Sequence, residues 1–317
     1  MAAVDSAHSI EHSLEHERSE RLFNEVIETQ IESTLGELAD QFEHNENPED
    51  NLDFHNSRHT LAVIDRTERI LKTIQKHQPE IVDAYTLQLG RYTASQHDTV
   101  QEWDPAEKDF PGFDDKIIFR QRRASHNEAT SAELGVAKLD KANKEAGLEI
   151  FSEADKNIVA EGIMATVPGY DVEHQTVIQP NLKPDSQIIS YALALADLGG
   201  AGMDGAEAFK NEGDALFREE NLDIAKAFRE NISLTEEQKV FYKVRMQQWT
   251  ESQANFSLGR KTLLSEELPS MLNFKSQTAL RELFNKFDES IAGAQESAER
   301  RATMTFEELA QDMGYQL

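Results

Sequence analysis

The chain has 317 residues, of which 59 are acidic, 32 basic and none cysteine, giving a formal net charge of -27. That length suffices for a full core, and the lack of cysteine excludes disulfides, thiolate ligands and thiol nucleophiles. The charge weighs against a long nucleic acid as partner, because its backbone is bound by neutralising phosphates with Lys and Arg; a small phosphate ester held in a local pocket stays compatible. No stretch reaches the roughly eighteen consecutive apolar residues of a membrane span, so no membrane partner is expected. The opening residues, MAAVDSAHSIEHSLEHERSE, lack the basic start and apolar block of a secretory signal, and a cytoplasmic location is expected.

Residues 1–50 are acidic, and Leu22, Val26, Ile27, Ile31, Leu35 and Leu38 recur at three- and four-residue steps. This predicts an amphipathic helix. His8, His12 and His16 lie four apart there and read as a solvated tail more readily than as a chelating face. Turn-forming residues at 44–50 end the segment. The pattern is helical again over 54–75, with Leu61, Ile64, Leu71 and Ile74 as the buried stripe, and over 79–98. Residues 103–125 hold two prolines, a glycine and mixed aromatics, and read as an ordered loop. A third helix is expected over 127–144, with Ala129, Ala132, Val136 and Leu139 on one side. Ser152 N-caps a fourth that ends near Thr166, and a fifth runs over 185–198 to stop at Gly199-Gly200. Capping boxes at Ser233-x-x-Glu236 and Thr305-x-x-Glu308 open a long and a short terminal helix. Strand signals are nearly absent. The expected class is all-α, with a core over 51–232 flanked by helical extensions over 1–50 and 233–317.

The chemistry concentrates around Gln96-His97-Asp98. A histidine pair, His55 and His59, lies upstream at a spacing that places both rings on one face of the predicted helix. Downstream, Asp197 sits in an otherwise apolar helical run, where an ionised carboxylate is costly unless paired or metal-bound. Imidazoles and carboxylates from three separated segments suit a divalent metal. Lys116, Arg120, Arg122 and Arg123 form the densest basic cluster and are candidate phosphate ligands; pairing with surface acids is the alternative. Arg260 is a further candidate to reach the site, and Trp103 and Phe113 either stack on a base or pack in a core or lid.

His55-Asn56-x-x-His59, His97-Asp98 and Asp197 together resemble the H…HD…D signature of HD-domain metal-dependent phosphohydrolases. The first element is shared with cyclic-nucleotide phosphodiesterases. A bacterial branch of predicted HD phosphohydrolases is more similar still, through Asn127-Glu128-x-x-Ser131-Ala132-x-Leu134, Ile163-Met164-Ala165-Thr166 and Ala196-Asp197-Leu198-Gly199. The resemblance covers about residues 50–260 and implies an HD-domain helical bundle. It also implies that His59, His97, Asp98 and Asp197 ligate a divalent metal, that Asp98 bridges to a second ion near Glu128, and that His55 donates a proton to the leaving oxygen. One or two ions are expected, drawn from Zn, Mn, Fe, Co, Ni or Mg. The implied activity is hydrolysis of a small phosphomonoester or phosphodiester, a nucleotide first. The alternative is an HD-scaffold nucleotide-binding or regulatory protein without turnover. A di-iron oxygenase ranks third, because it needs further histidines and His126 offers only one. Where the phosphodiesterases carry another histidine, this chain has Gln101, and their Glu-Asn-His-His element is missing.

Overall fold

The computed structural model describes residues 2–108 and 117–316, with side chains described for 20–104 and 119–316. The chain is all-α, with two small antiparallel ribbons among the described residues. Helix α1 (Ala2–Phe42) buries Phe23, Ile27, Ile31 and Leu38 at helical spacing. Helix α2 (Ser57–His77) starts at Asn56, whose side chain accepts the backbone N–H groups of Arg58 and His59. Helix α3 (Ala84–Gln96) starts at Asp83, which accepts from Thr86. Ribbon strands β1 (Trp103–Lys108) and β2 (Ile117–Arg122) precede α4 (His126–Ala146). Helix α5 (Glu153–Met164) opens on the expected Ser152 cap, in a box completed by Asp155. A second ribbon, β3 (Gly169–Asp171) and β4 (Thr176–Ile178), leads to α6 (Ile188–Asp197).

Helix α6 is the centre of the packing. Every residue from Ile188 to Ala196 is buried, and α2, α3 and α5 surround it. With apolar groups on all sides it has no polar face to give water, which is the condition for a core helix. Beyond it come α7 (Gly200–Met203), α8 (Ala206–Glu220), α9 (Leu222–Arg229), α10 (Glu236–Glu267), α11 (Phe274–Leu283), α12 (Phe287–Ala302) and α13 (Phe306–Asp312). One apolar cluster runs from Phe23 of α1 through Leu193 of α6 to Phe284 and to Phe287 of α12. A second joins Phe217, Ile224, Tyr242 and Met246 to Phe306, Leu309 and Met313.

Several expectations change. Residues 103–125 are not a loop alone: Trp103 pairs with Arg122 and Lys108 with Ile117 in an antiparallel ribbon. Pro105 masked the strand signal, and a two-stranded ribbon tolerates it because both strands are edges. Leu61 is 56% exposed; the buried side of α2 is carried by Val63, Ile64, Ile70, Leu71 and Ile74. The box that opens α10 is Thr235 with Gln238, not Ser233 with Glu236; the Thr305–Glu308 box forms as expected. Helix α6 stops just before Gly199-Gly200 as expected, with Leu198 as its C-cap, and Gly200 then begins α7. The sequence pattern assigns no element to α8, where two of the four buried residues are the carboxylates Asp214 and Glu219. Buried charge blurs the apolar periodicity on which a helix assignment rests.

Helix α10 passes close over the second ribbon at Gly259. A Cβ there would stand 2.5 Å from the His174 carbonyl oxygen and 2.7 Å from Thr176 Cβ. Backbone cannot swing aside as a side-chain tip does, so Gly259→Ala is expected to cost about 1–3 kcal/mol. Chemical denaturation measures it, and an unchanged midpoint at unchanged slope would contradict the close approach.

Candidate metal centre

Three helix ends meet at one point. His59 lies in the first turn of α2, on a backbone N–H fixed by the buried Asn56 side chain. His97 caps the C-terminus of α3 and Asp98 follows it. Asp197 is the last residue of α6. The C-terminal ends of α3 and α6 carry partial negative charge, which adds to the two carboxylates and favours a cation.

One ligand atom from each of His59, His97, Asp98 and Asp197 lies within 4.8 Å of all the others. His59 Nε2 is 3.4 Å from Asp98 Oδ2 and 3.5 Å from Asp197 Oδ1. His97 Nε2 is 3.1 Å and 3.7 Å from the same two oxygens. Atoms bonded to one ion at about 2.0–2.2 Å stand roughly 3.0–3.6 Å apart at octahedral or tetrahedral angles, so the spacing is that of a ligand shell. Both Nε2 atoms are buried and lack a hydrogen-bond partner. His97 Nδ1–H donates to the Ala94 carbonyl at 2.7 Å, which leaves Nε2 with its lone pair towards the cluster. Orphaned buried nitrogens facing two carboxylates fit a metal ion. The His59, His97, Asp98 and Asp197 group could hold one.

Burial disfavours charge on all four groups. For His97 the two aspartates outweigh it and push the imidazole up to about 10. His59 moves upward against burial for the same reason. The imidazoles hold Asp98 well below the usual carboxylate range and lower Asp197 as well. The carboxylates thus call for positive charge, which ring protons supply in the absence of an ion.

Each aspartate gives one oxygen to the cluster and the other to a neighbour. Gln179 Nε2 donates to Asp197 Oδ2 at 3.2 Å. Arg122 Nη2 donates to Asp98 Oδ1 at 2.9 Å, and Gln101 Nε2 does so at 2.9 Å. Glu128 is 1% exposed; its Oε1 accepts from Arg122 Nη1 at 2.5 Å and its Oε2 from the Ser125 N–H at 2.6 Å.

His55 does not share the helical face of His59, because α2 begins after it. Its Nδ1 hydrogen-bonds to Glu219 Oε1, and Glu219 Oε2 accepts the N–H groups of Phe54 and His55. Burial would raise the Glu219 carboxyl, but the His55 charge and these N–H bonds bring it below its ordinary value. Trp103 packs edge-on to His55, with ring centroids 6.0 Å apart. Glu220, beside it, is pushed up to about 7 by burial. No sequence pattern marks Glu219 or Glu220, since a Glu-Glu pair at a helix end reads as solvated.

The basic cluster disperses. Among its described residues, Arg122 alone joins the site. Arg120 stacks over Trp103 at 5.7 Å and lines a separate cavity of about 460 Å³ with Arg58, Arg218 and Arg229. Arg123 points outward to Glu102 and Asp104. Lys116 and Phe113 lie outside the described residues. His126 is exposed and pairs with Glu102 at 3.2 Å, so it does not join the cluster. Arg260 pairs with Glu267 and the Val177 carbonyl instead of reaching the site.

A cavity of about 370 Å³ opens beside the cluster. His55, Asp98, Arg122, Glu128 and Asp197 form its polar end, and Phe54, Tyr170, Phe209, Trp249 and Phe256 line the rest. Comparison with protein-family models, with curated proteins and with solved structures gave no match. Fold and site define an all-α protein with a buried two-histidine, two-aspartate cluster able to bind a metal. Among the described residues no helix is long and apolar enough to cross a membrane.

Proposed function

We propose that this chain is a metal-dependent phosphohydrolase of the HD-domain kind, acting on a small phosphomonoester or phosphodiester, with nucleotides the first candidates. One observation carries the reading: His59, His97, Asp98 and Asp197 arrive from three separated helix ends with both Nε2 atoms bare. These four residues would hold the ion. When bound, a divalent ion supplies Lewis acidity, acidifying water and drawing charge from a phosphoryl oxygen.

The remaining work falls to side chains around the cavity. The Glu219 carboxylate fixes the His55 ring through Nδ1, which leaves Nε2 as the ring atom that would pass a proton to a departing alkoxide oxygen. Arg122 spends three N–H groups on Gln101, Glu128 and Asp98 and has others left for a phosphoryl oxygen. The aromatic wall excludes water and offers faces to a planar organic group, which is why nucleotides come first.

The test is hydrolysis of nitrophenyl phosphates and a nucleotide panel with Mn, Co, Ni or Mg. Persistent inactivity, equal in wild type and His97→Ala, would sink the proposal. A second readout is the pH dependence of metal binding. Because His97 is raised to about 10, an ion must displace its proton at neutral pH. Affinity is expected to rise roughly tenfold per pH unit between pH 7 and 9 for each proton released. Titration calorimetry in buffers of different ionisation enthalpy counts those protons; a pH-independent affinity would contradict the arrangement.

A further inference from the structure

We propose that the guanidinium of Arg122 occupies the place of a second cation, so that the centre takes one divalent ion and not two. The inference rests on the metal-binding reading above and narrows it. Its basis is how the outer carboxylate oxygens are spent. Asp98 turns Oδ2 towards the two imidazoles, while Oδ1 is bonded to Arg122 Nη2 and Gln101 Nε2, each at 2.9 Å. To bridge two ions, that Oδ1 would have to face the second one. Glu128 is the other acid bonded to Arg122, and Arg122 and the Ser125 N–H claim both of its oxygens.

The cation is built in from the backbone outward. Arg122 is the last residue of β2, in register with Trp103 of β1. Its third bond, Nε to Gln101 Oε1 at 2.9 Å, fixes the plane of the guanidinium. Gln101 therefore has a place here: its oxygen orients the arginine and its nitrogen joins the same Asp98 oxygen. These side chains are largely shielded from solvent, with exposures of 17% for Arg122, 6% for Asp98 and 1% for Glu128. Expelling the arginine would leave carboxylates unpaired in a poorly solvated place.

Charge leads to the same count. The acids in contact with the cluster or with Arg122, namely Asp98, Asp197 and Glu128, carry three negative charges, and one divalent ion and Arg122 together carry three positive ones; Glu220, which also lines the cavity, is pushed up to about 7 by burial. A second dication beside a fixed guanidinium would add repulsion in a low-dielectric site. With a single ion, Arg122 supplies the second positive charge next to a bound phosphoryl group, and its planar fork suits two oxygens where an ion would take one.

Metal counting on the full chain tests this without any substrate. After equilibrium dialysis against excess Mn²⁺, elemental analysis is expected to find about one ion per wild-type chain, and the Mn²⁺ resonance spectrum to be that of isolated ions. Arg122→Ala is expected to gain a further, weaker Mn²⁺. Adding Glu128→Gln to it should remove that gain, and Arg122→Lys should stay at the wild-type count. Two ions in wild type, or a spin-coupled spectrum, would overturn the inference while leaving the metal reading intact. No bound ion would overturn both. An Arg122→Ala protein that still takes one ion would show that the pocket is not a cation position. Should that variant fail to fold, the wild-type count and spectrum decide by themselves.

Discussion

Replacing His97 by alanine is expected to abolish the response of this protein to metal. The substitution removes one of two imidazole nitrogens from the shell and leaves Asp98 and Asp197 facing a single ring. Lewis-acid assistance amounts to several kcal/mol, so the expected loss in kcat/KM is roughly a thousandfold or more. Thermal denaturation gives a readout that needs no substrate. A ligand that binds only the folded state at about 100 times its Kd adds about 2.7 kcal/mol of stability. The wild-type melting temperature should therefore climb with added Mn²⁺ or Co²⁺, and the His97→Ala curve should stay flat. Equal shifts in both proteins would remove His97 from the ligand set.

The second large effect lies outside the metal cluster. Arg301 of α12 is 1% exposed and ties three other helices together. Its Nη1 and Nη2 donate to Asp214 of α8 at 2.8 and 2.6 Å, its Nε to Asp312 of α13 at 2.8 Å, and its Nη1 also to Thr250 of α10 at 3.1 Å. Alanine there leaves Asp214, itself buried, with Lys210 as its remaining ion-pair partner among the described residues. Breaking a buried pair from one side costs about 3–5 kcal/mol, whereas an apolar pair of similar volume is often tolerated. Arg301→Ala is expected to lose stability in that range. The double change Arg301→Met with Asp214→Leu should recover at least half of it. Denaturant titration reads both, and a single variant within about 0.5 kcal/mol of wild type would mean that the network is not closed in solution.

These outcomes bear unequally on what the sequence discloses. Asp197 was legible because a single carboxylate in a wholly apolar helix is a contradiction that a structure must resolve, and α6 resolves it at its C-terminal end. His59, His97 and Asp98 were legible as residue types suited to one ion. The outer shell was not. Four bases between 116 and 123 look alike as letters, yet Arg123 faces outward and Arg122 turns inward. The difference falls where β2 ends, with Arg122 its last residue and Arg123 the first beyond it, and Pro105 hid that strand. Glu219 is similarly silent, because its burial depends on α8 packing beside residues 165 positions earlier. The all-α class needed only local periodicity, which is why it could be read, while Leu61 shows that the same periodicity can choose the wrong face by one residue.

The order of the chain has a consequence of its own. All four residues of the cluster precede position 198, whereas three of the five aromatic residues of the wall, Phe209, Trp249 and Phe256, follow it, and Phe54 and Tyr170 precede it. On the proposed reading, every residue that would hold the ion lies upstream of that point and most of the aromatic wall lies downstream. On that reading, substitutions downstream of α6 would change which ester is accepted and leave the ion-holding residues in place.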